Sequence, residues 1–371
     1  MTVTLKTKKL LIVVGTRPNY IKVTQFKKVA QQQFAGQFDI KIVHTGQHFD
    51  KSMADVFFQQ LDIWPDYFLN ISQASPNTQM GEIMIRLEKV ISEEFKPDII
   101  LVPGDVNSTL AAALTAYKLG ITLGHLESGL RSLDRSMPEE VNRILVDEIS
   151  DFYFVTEQSG IDNLLQEGKA KEKIHLIGNT MIDTLVAFKD DIASKNMLDS
   201  NSLTKDEFIL MTIHRPATVD NKNGLEGLLS LLKDMPKDAT IVFPIHPRTL
   251  NNIKKFDLET EFETLKNLKL LAPQDYFSFQ NLIHNCKMVL TDSGGIQEET
   301  TFKQKPCLTL RPNTERPSTL TIGSNTLLNF DKQDILEKIN EIQTGTYKEG
   351  QIPPLWDGQA TQRILEIIAN N

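Results

Sequence analysis

Short apolar, β-branched runs alternate with longer amphipathic stretches through the first half of the chain: Leu10–Val14, Ile40–His44, Ile99–Val102, Ile121–His125, Phe152–Val155 and Ile174–Ile177. Between the first two runs Val23, Phe26, Ala30 and Phe34 recur three or four residues apart, and Pro18 suits a first turn, so one helix is predicted there. Repeated strand–helix units imply a parallel sheet covered on both faces. A second series, Phe208–Ile213, Ile241–Ile245, Leu268–Leu271, Met288–Leu290 and Cys307–Leu310, predicts a second α/β domain. The polar stretch Asp190 to Asp206 reads as its approach, which gives domains at 1–184 and 185–355. After the Pro353-Pro354 break, Ala360 to Ile368 reads as one helix.

A length of 371 residues fits two domains with a cleft between them, and 40% apolar with 24% charged residues is ordinary for a folded chain. The formal charge of −8 argues against a general nucleic-acid binder, so an anionic ligand has to be met by local Arg, Lys and His. The two cysteines, Cys286 and Cys307, sit in or beside apolar runs and read as buried thiols of a reducing compartment. Met1 to Lys9 is basic, but the apolar segment behind it is too short for a signal peptide and no run approaches membrane-spanning length. A cytoplasmic protein with no membrane partner is expected.

Ligands of open parallel sheets bind beyond the carboxyl ends of the strands. The residues following the runs are Arg17 and Lys22, Thr45-Gly46-Gln47-His48, Gly104-Asp105, then His125, Glu127 and Arg131. In the second half they are His214-Arg215, His246-Pro247-Arg248 and Ser293-Gly294-Gly295. Strand ends need turn residues, so repeated Arg, His and Glu there point to a ligand held across a cleft. His44, His125 and His175 read as packed or surface histidines, whereas His214 and His246 share equivalent strand ends. No compact metal-ligand spacing such as H-E-x-x-H occurs, so no metal is expected.

Two segments carry open alternatives. Asp292 to Glu299, Asp-Ser-Gly-Gly-Ile-Gln-Glu-Glu, follows an apolar run and opens a helix. Its glycines would let backbone N–H groups face a phosphate, with a carboxylate left for a ribose diol. The same residues also serve ordinary capping. In Met137 to Arg143, Pro138 followed by Glu139 and Glu140 is a good helix start, and Glu139 and Arg143 lie four apart. They form either a surface pair worth ~0.3–0.5 kcal/mol or an acid beside a phosphate clamp.

The ordered set Gly15-Thr16-Arg17-Pro18 with Lys22, Thr45-Gly46-Gln47-His48, Gly104-Asp105, His125 to Arg131, Pro138-Glu139-Glu140 with Asn142-Arg143, His214-Arg215, Asp292 to Glu299 and Thr314-Glu315-Arg316-Pro317 closely resembles the non-hydrolysing UDP-N-acetylglucosamine 2-epimerases. The likeness spans roughly residues 10 to 326. It implies an α/β fold of GT-B type, two Rossmann-like domains whose parallel sheets face an interdomain cleft. It also implies a homodimer, and a C-terminal helix, 356–371, returning to the first domain. The implied activity interconverts UDP-GlcNAc and UDP-ManNAc for surface polysaccharides, through loss of the C2 proton and of UDP to a bound 2-acetamidoglucal, with neither metal nor cofactor.

By resemblance Asp105, Glu127 and Glu139 share the acid and base work, and His214 acts near the leaving phosphate. Arg17, Lys22 and Arg143 neutralise the diphosphate; Ser293, Gly294 and Gly295 cradle it; Glu299 takes the ribose; His246 and Arg316 make further UDP contacts. Asn19-Tyr20 stands where the family commonly has Glu-Ala, and Ala217-Thr218 where it often has Glu-Asn, which bears on sugar specificity. Many bacterial members bind a second UDP-GlcNAc as activator, using the Gln-His after the second strand and a downstream Arg. Gln47 and His48 are present, but Leu69 to Asn77 holds no arginine, so activation of that form is not expected. The rival readings are a hydrolysing relative, an epimerase of a modified UDP-HexNAc, a GT-B glycosyltransferase and a non-catalytic sensor.

Overall fold

The apolar runs form two parallel sheets in the computed structural model, which is described for residues 7–46, 57–72 and 74–371; Gln47 and His48 lie outside the described residues. The first sheet holds β1 (Lys8–Val14), β2 (Phe38–His44), β3 (Tyr67–Phe68), β4 (Ile99–Pro103), β5 (Thr122–Leu126), β6 (Phe152–Val155) and β7 (Ile174–Leu176), in the order β3-β2-β1-β4-β5-β6-β7. The second holds β8 (Phe208–Thr212), β9 (Thr240–Pro244), β10 (Leu268–Leu271), β11 (Met288–Thr291), β12 (Cys307–Leu310) and β13 (Asn325–Leu328), in the order β10-β9-β8-β11-β12-β13. Strand order reverses beside the first strand of each sheet, between β1 and β4 and between β8 and β11. That reversal sends successive crossovers to opposite sides and leaves a crevice at the strand carboxyl ends.

The chain divides into two compact units, Met1–Ala187 with Pro354–Asn371, and Phe188–Pro353. In the second unit the period of two is visible in the core: Ile209, Met211, Ile241, Phe243, Met288 and Leu290 pack on one face of the sheet, Phe208, Leu210, Val242 and Val289 on the other. Cys286 and Cys307 are free and buried, and burial pushes their thiols up to about 12 and about 11. Among the described residues no helix is long and apolar enough to cross a membrane.

The helix expected after β1 is two helices, Arg17–Ile21 and Phe26–Gln33. Val23 N–H bonds Tyr20 O at 2.9 Å and Phe26 N–H bonds Val23 O at 3.4 Å, so a tight turn replaces the continuous ladder. Val23, Phe26, Ala30 and Phe34 are nonetheless all buried, because the turn keeps them on one face. It also delivers Lys22 inward, with 6% exposure, from the end of the first helix.

The last helix, Ala360–Asn370, belongs to the first unit and is tied at both ends. Asp183 accepts the orphan N–H groups of Ala360 at 3.0 Å and Thr361 at 2.6 Å, while Lys8 Nζ donates to the carbonyl of Ile368 at 2.6 Å. Burial pushes the Asp183 carboxyl up to about 6 despite those bonds. The folded protein then holds a proton there that the unfolded chain releases from its ordinary 3.8 upward. The contribution of Asp183 to stability is therefore expected to fall as pH rises from about 4 to about 6 and to stay flat above. The difference in melting temperature between the wild type and Asp183→Asn, which keeps an acceptor but has no charge to bury, should shift toward the variant as pH rises across that range and stay constant above it.

Candidate active site

In the first unit the functional side chains stand at the carboxyl ends of neighbouring strands. Pro103 of β4 and Leu126 of β5 are partners in the ladder, so Asp105 and Glu127 leave the sheet side by side. Glu127 is a non-glycine residue at φ +71, a left-handed conformation costing ~1–2 kcal/mol that its surroundings have to impose. Its N–H bonds Phe154 O at 3.0 Å, and its Oε2 accepts Lys22 Nζ at 2.7 Å with both side chains buried. Gly104, at φ +69, lets Lys22 approach: a Cβ there would lie 3.1 Å from Nζ.

Arg143, on the helix Pro138–Ile149, joins Asp105 Oδ2 through Nη2 and Glu140 Oε2 through Nη1. The side-chain amide of Asn142 donates to Asp105 O at 2.9 Å, so two successive helix residues hold the Asp105 turn. Glu140 is buried and also accepts the N–H of Ser132 at 2.9 Å and of Leu133 at 3.0 Å. Of the two readings left open for Glu139 and Arg143, the surface pair does not form: Glu139 is exposed in the first turn and the arginine turns inward to Glu140. Arg17 is exposed, its guanidinium 5.0 Å from the Phe57 ring centroid. Asn19 donates to Pro103 O at 3.1 Å, and Tyr20 stacks on His44 at 5.4 Å.

Beneath these residues lies a buried charged cluster. His125 Nδ1 meets Asp147 Oδ1 at 2.7 Å and Nε2 meets the carbonyl of Gly104 at 2.8 Å. Asp147 Oδ2 accepts the Gly129 N–H at 3.0 Å and Arg131 Nη2 at 2.8 Å, and Arg131 grips Glu167 at 2.8 and 2.7 Å. Burial opposes ionisation of Asp147, but His125, Arg131 and the Gly129 N–H together hold its carboxyl below the usual range. The histidine read as a packing residue thus braces the loop carrying Asp105.

In the second unit Thr212 of β8 partners Thr291 of β11, which sets His214 beside Asp292. Asp292 Oδ2 accepts the N–H groups of His214 at 2.9 Å and Arg215 at 2.7 Å, and His214 Nδ1 lies 3.0 Å from Oδ1. His214 and His246 have ring centroids 6.0 Å apart. The nitrogen Nδ1 of His246 accepts the Arg248 N–H at 3.1 Å, and burial, with the charges of His214 and Arg248, lowers its pKa.

Ser293 is the N-cap of the helix Gly294–Phe302, with Gly294 and Gly295 in its first turn. Arg316 packs against that turn: a Cβ on Gly294 would stand 3.2 Å from Arg316 Nη1. Arg316 Nε also meets Glu298 Oε2 at 2.7 Å. The loop before Arg316 is fixed by Gln297, whose Oε1 accepts Thr314 Oγ1 at 2.8 Å and Asn325 Nδ2 at 2.9 Å. Glu299, one turn along, is buried, and burial pushes its carboxyl up to about 7.

The structure joins Lys22 to Glu127, Asp105 to Arg143, His214 to His246 and Gly294 to Arg316. Glu140, Asp147, Arg311 and Glu315 escaped the sequence reading as supporting residues. Among the described residues, no group of three or more His, Cys, Asp or Glu is placed to hold a metal ion.

Two Rossmann-like units, each with a reversal of strand order beside its first strand, define a protein of the GT-B class. The family model for UDP-N-acetylglucosamine 2-epimerase matches residues 30–369, and the chain belongs to that family. A UDP-N-acetylglucosamine 2-epimerase of Methanococcus maripaludis is 39% identical over 368 residues, covering 97% of this chain and 98% of the relative. A UDP-2,3-diacetamido-2,3-dideoxy-D-glucuronate 2-epimerase of Pseudomonas aeruginosa is 38% identical over 367 residues, covering 97% and 99%. The crystal structure of the Methanocaldococcus jannaschii UDP-GlcNAc 2-epimerase in complex with UDP-GlcNAc and UDP matches with a TM-score of 0.87 at 37% identity, over 98% of this chain and 100% of that one.

Proposed function

We propose that the protein interconverts UDP-GlcNAc and UDP-ManNAc without net hydrolysis, as a homodimer in the cytoplasm. The observation that carries this reading is the pair of carboxylates on adjacent strand ends, Glu127 anchored by Lys22 and Asp105 by Arg143, with Glu139 exposed in the first turn of the helix that carries Arg143. Epimerisation at C2 needs a base that takes the proton from one face and an acid that returns one to the other. In the proposed reaction the C2–H bond and the C1–O bond to UDP break together, giving 2-acetamidoglucal and UDP. Protonation of C2 on its opposite face and re-addition of the UDP oxygen at C1 complete the exchange. Asp105, Glu127 and Glu139 share the proton work, and His214, held by Asp292, faces the departing phosphate.

The second unit takes the UDP. In that unit the amino end of the helix Gly294–Phe302, His246 and Arg316 meet the diphosphate and Glu299 accepts the ribose hydroxyls; in the first unit Arg17 and Lys22 supply positive charge for the diphosphate, Lys22 while anchoring Glu127. Arg143, already shared between two carboxylates, contributes chiefly by holding Asp105. Incubation with UDP-GlcNAc should yield a stable mixture of two UDP-sugars by NMR. Accumulation of free ManNAc and UDP would establish the hydrolysing reaction instead. The likeness to the Pseudomonas enzyme favours one second reading, a diacetamido uronic acid derivative, and turnover of that nucleotide sugar but not UDP-GlcNAc would establish it.

Glu299 gives this reading a pH signature. Two ribose hydroxyls bind an ionised carboxylate better than a neutral one, so ligand uptake releases the proton held up to about 7. Affinity for uridine, which carries no phosphate of its own to titrate, is expected to rise up to about tenfold between roughly pH 6 and pH 8. Calorimetry should find that slope in the wild type and a flat profile in Glu299→Gln; a flat wild-type profile would remove Glu299 from the ribose.

A further inference from the structure

At the amino end of the helix Gly294–Phe302 the protein places a carboxylate of its own. Glu315 is buried, with Oε1 against Arg316 Nη1 and Oε2 3.2 Å from Arg311 Nη2. A Cβ on Gly294 would lie 3.3 Å from Glu315 Oε1 and 3.4 Å from Arg311 Nη1, so the ion cluster rests directly on the first helical residue. A side chain at this position would press on the ends of Arg316 and Glu315. A helix N-terminus flanked by guanidinium groups is an anion site, and here Glu315 occupies it.

Arg311 shows that this arrangement is incomplete. It is 3% exposed, and its Nε and Nη1 have no hydrogen-bond acceptor among the described residues. Burial lowers its pKa, Glu315 opposes that, and the charges of Arg215 and Arg316 add to it. A buried guanidinium with two idle donors is costly, and Glu315, shared with an Arg316 that also meets Glu298, leaves those two donors of Arg311 unmet. A phosphate offers more acceptor oxygens and more charge to the same forks.

We propose that Glu315 is a resident counter-anion for Arg311 and Arg316, displaced when a ligand phosphate reaches the start of the helix, and that Arg311 then donates Nε and Nη1 to that phosphate. The inference rests on the assignment of UDP to the second unit. Until ligand arrives, Glu315 keeps two arginines ordered in a buried place. Once displaced, it sets a limit on how tightly UDP is held, which matters for an enzyme that has to let its UDP-sugar go.

The test uses calorimetry on the full chain with UDP and with uridine. Arg311→Gln is expected to weaken UDP binding about tenfold or more while leaving uridine within about twofold. Glu315→Gln is expected to strengthen UDP about threefold to tenfold, again without moving uridine. The opposite signs decide the matter, because a cluster serving only to shape the loop would weaken UDP in both variants. Equal weakening, or unaltered UDP affinity in Arg311→Gln, overturns the proposal alone. A wild type that takes up neither UDP nor uridine overturns the UDP assignment first. Should Arg311→Gln fail to fold by circular dichroism, Glu315→Gln, the same size as the native residue, still decides by its sign.

Discussion

Asp105→Asn is expected to reduce turnover by about 10²–10⁴-fold, the range for losing a positioned general acid or base. Asparagine keeps the shape of the side chain but can neither take nor return the C2 proton. The change should cost little stability, because the Asp105 side chain is 24% exposed and Arg143 retains Glu140 as a partner. The Asn142 bond to the Asp105 carbonyl also survives, since it involves only backbone at 105. An unchanged melting temperature with intact UDP binding would therefore separate lost chemistry from lost structure. Forward and reverse rates should fall by one common factor, since the variant cannot alter the equilibrium between the two UDP-sugars. Turnover within about fivefold of the wild type would be far short of a lost acid or base and would move the proton work to Glu127 and Glu139.

Asp147→Asn is expected to produce the largest loss of stability, about 3–5 kcal/mol, the cost of stripping one partner from a buried charged network. Asp147 is fully buried and receives bonds from His125, Gly129 and Arg131. Asparagine would turn its amide nitrogen toward one of these donors and leave two cationic or donor groups without their counter-charge. Against the ~5–15 kcal/mol of a typical domain, that loss should appear as a clear drop in the melting temperature of the first unit. The sign of its pH dependence follows from the depressed carboxyl. Asp147 contributes stability above the ordinary value of 3.8 and loses it as pH falls through its lower folded value. The gap between wild type and variant should thus be widest near neutrality and close in acid. Activity should fall too, because His125 spans from Asp147 to the carbonyl of Gly104, the residue before Asp105.

The sheets were legible because buried parallel strands are continuous apolar runs. Phe152–Val155, Leu268–Leu271 and Cys307–Leu310 match strands to the residue, and the others shift at their ends by one or two. Two strands gave no such signal. Tyr67–Phe68 is too short to show a pattern, and Asn325–Leu328, an edge strand, opens on two polar residues, of which Asn325 bonds inward to Thr309 and Gln297 and Thr326 meets the Tyr347 hydroxyl. The turn at 22–25 was hidden because its apolar residues keep helical spacing across the break.

For the candidate site, the residue types at the strand ends were readable and their partners were not. Periodicity assigns a face, but it does not say that Arg143 chooses Glu140 and Asp105 over Glu139. The bond from His125 to Asp147 spans a strand, a loop and most of a helix, and local spacing holds no trace of it. Glu315 stood in a recognised motif, yet its place at Gly294 depends on β12 bringing Arg311 beside the helix.

In the proposed reaction these carboxylates exchange the proton at C2 while UDP stays bound. Incubation of the protein with UDP-GlcNAc in deuterated water, followed by proton NMR, measures that exchange directly. Deuterium is expected at C2 of both UDP-GlcNAc and UDP-ManNAc, with no free UDP accumulating. Binding of UDP-GlcNAc without deuterium uptake or turnover would contradict it.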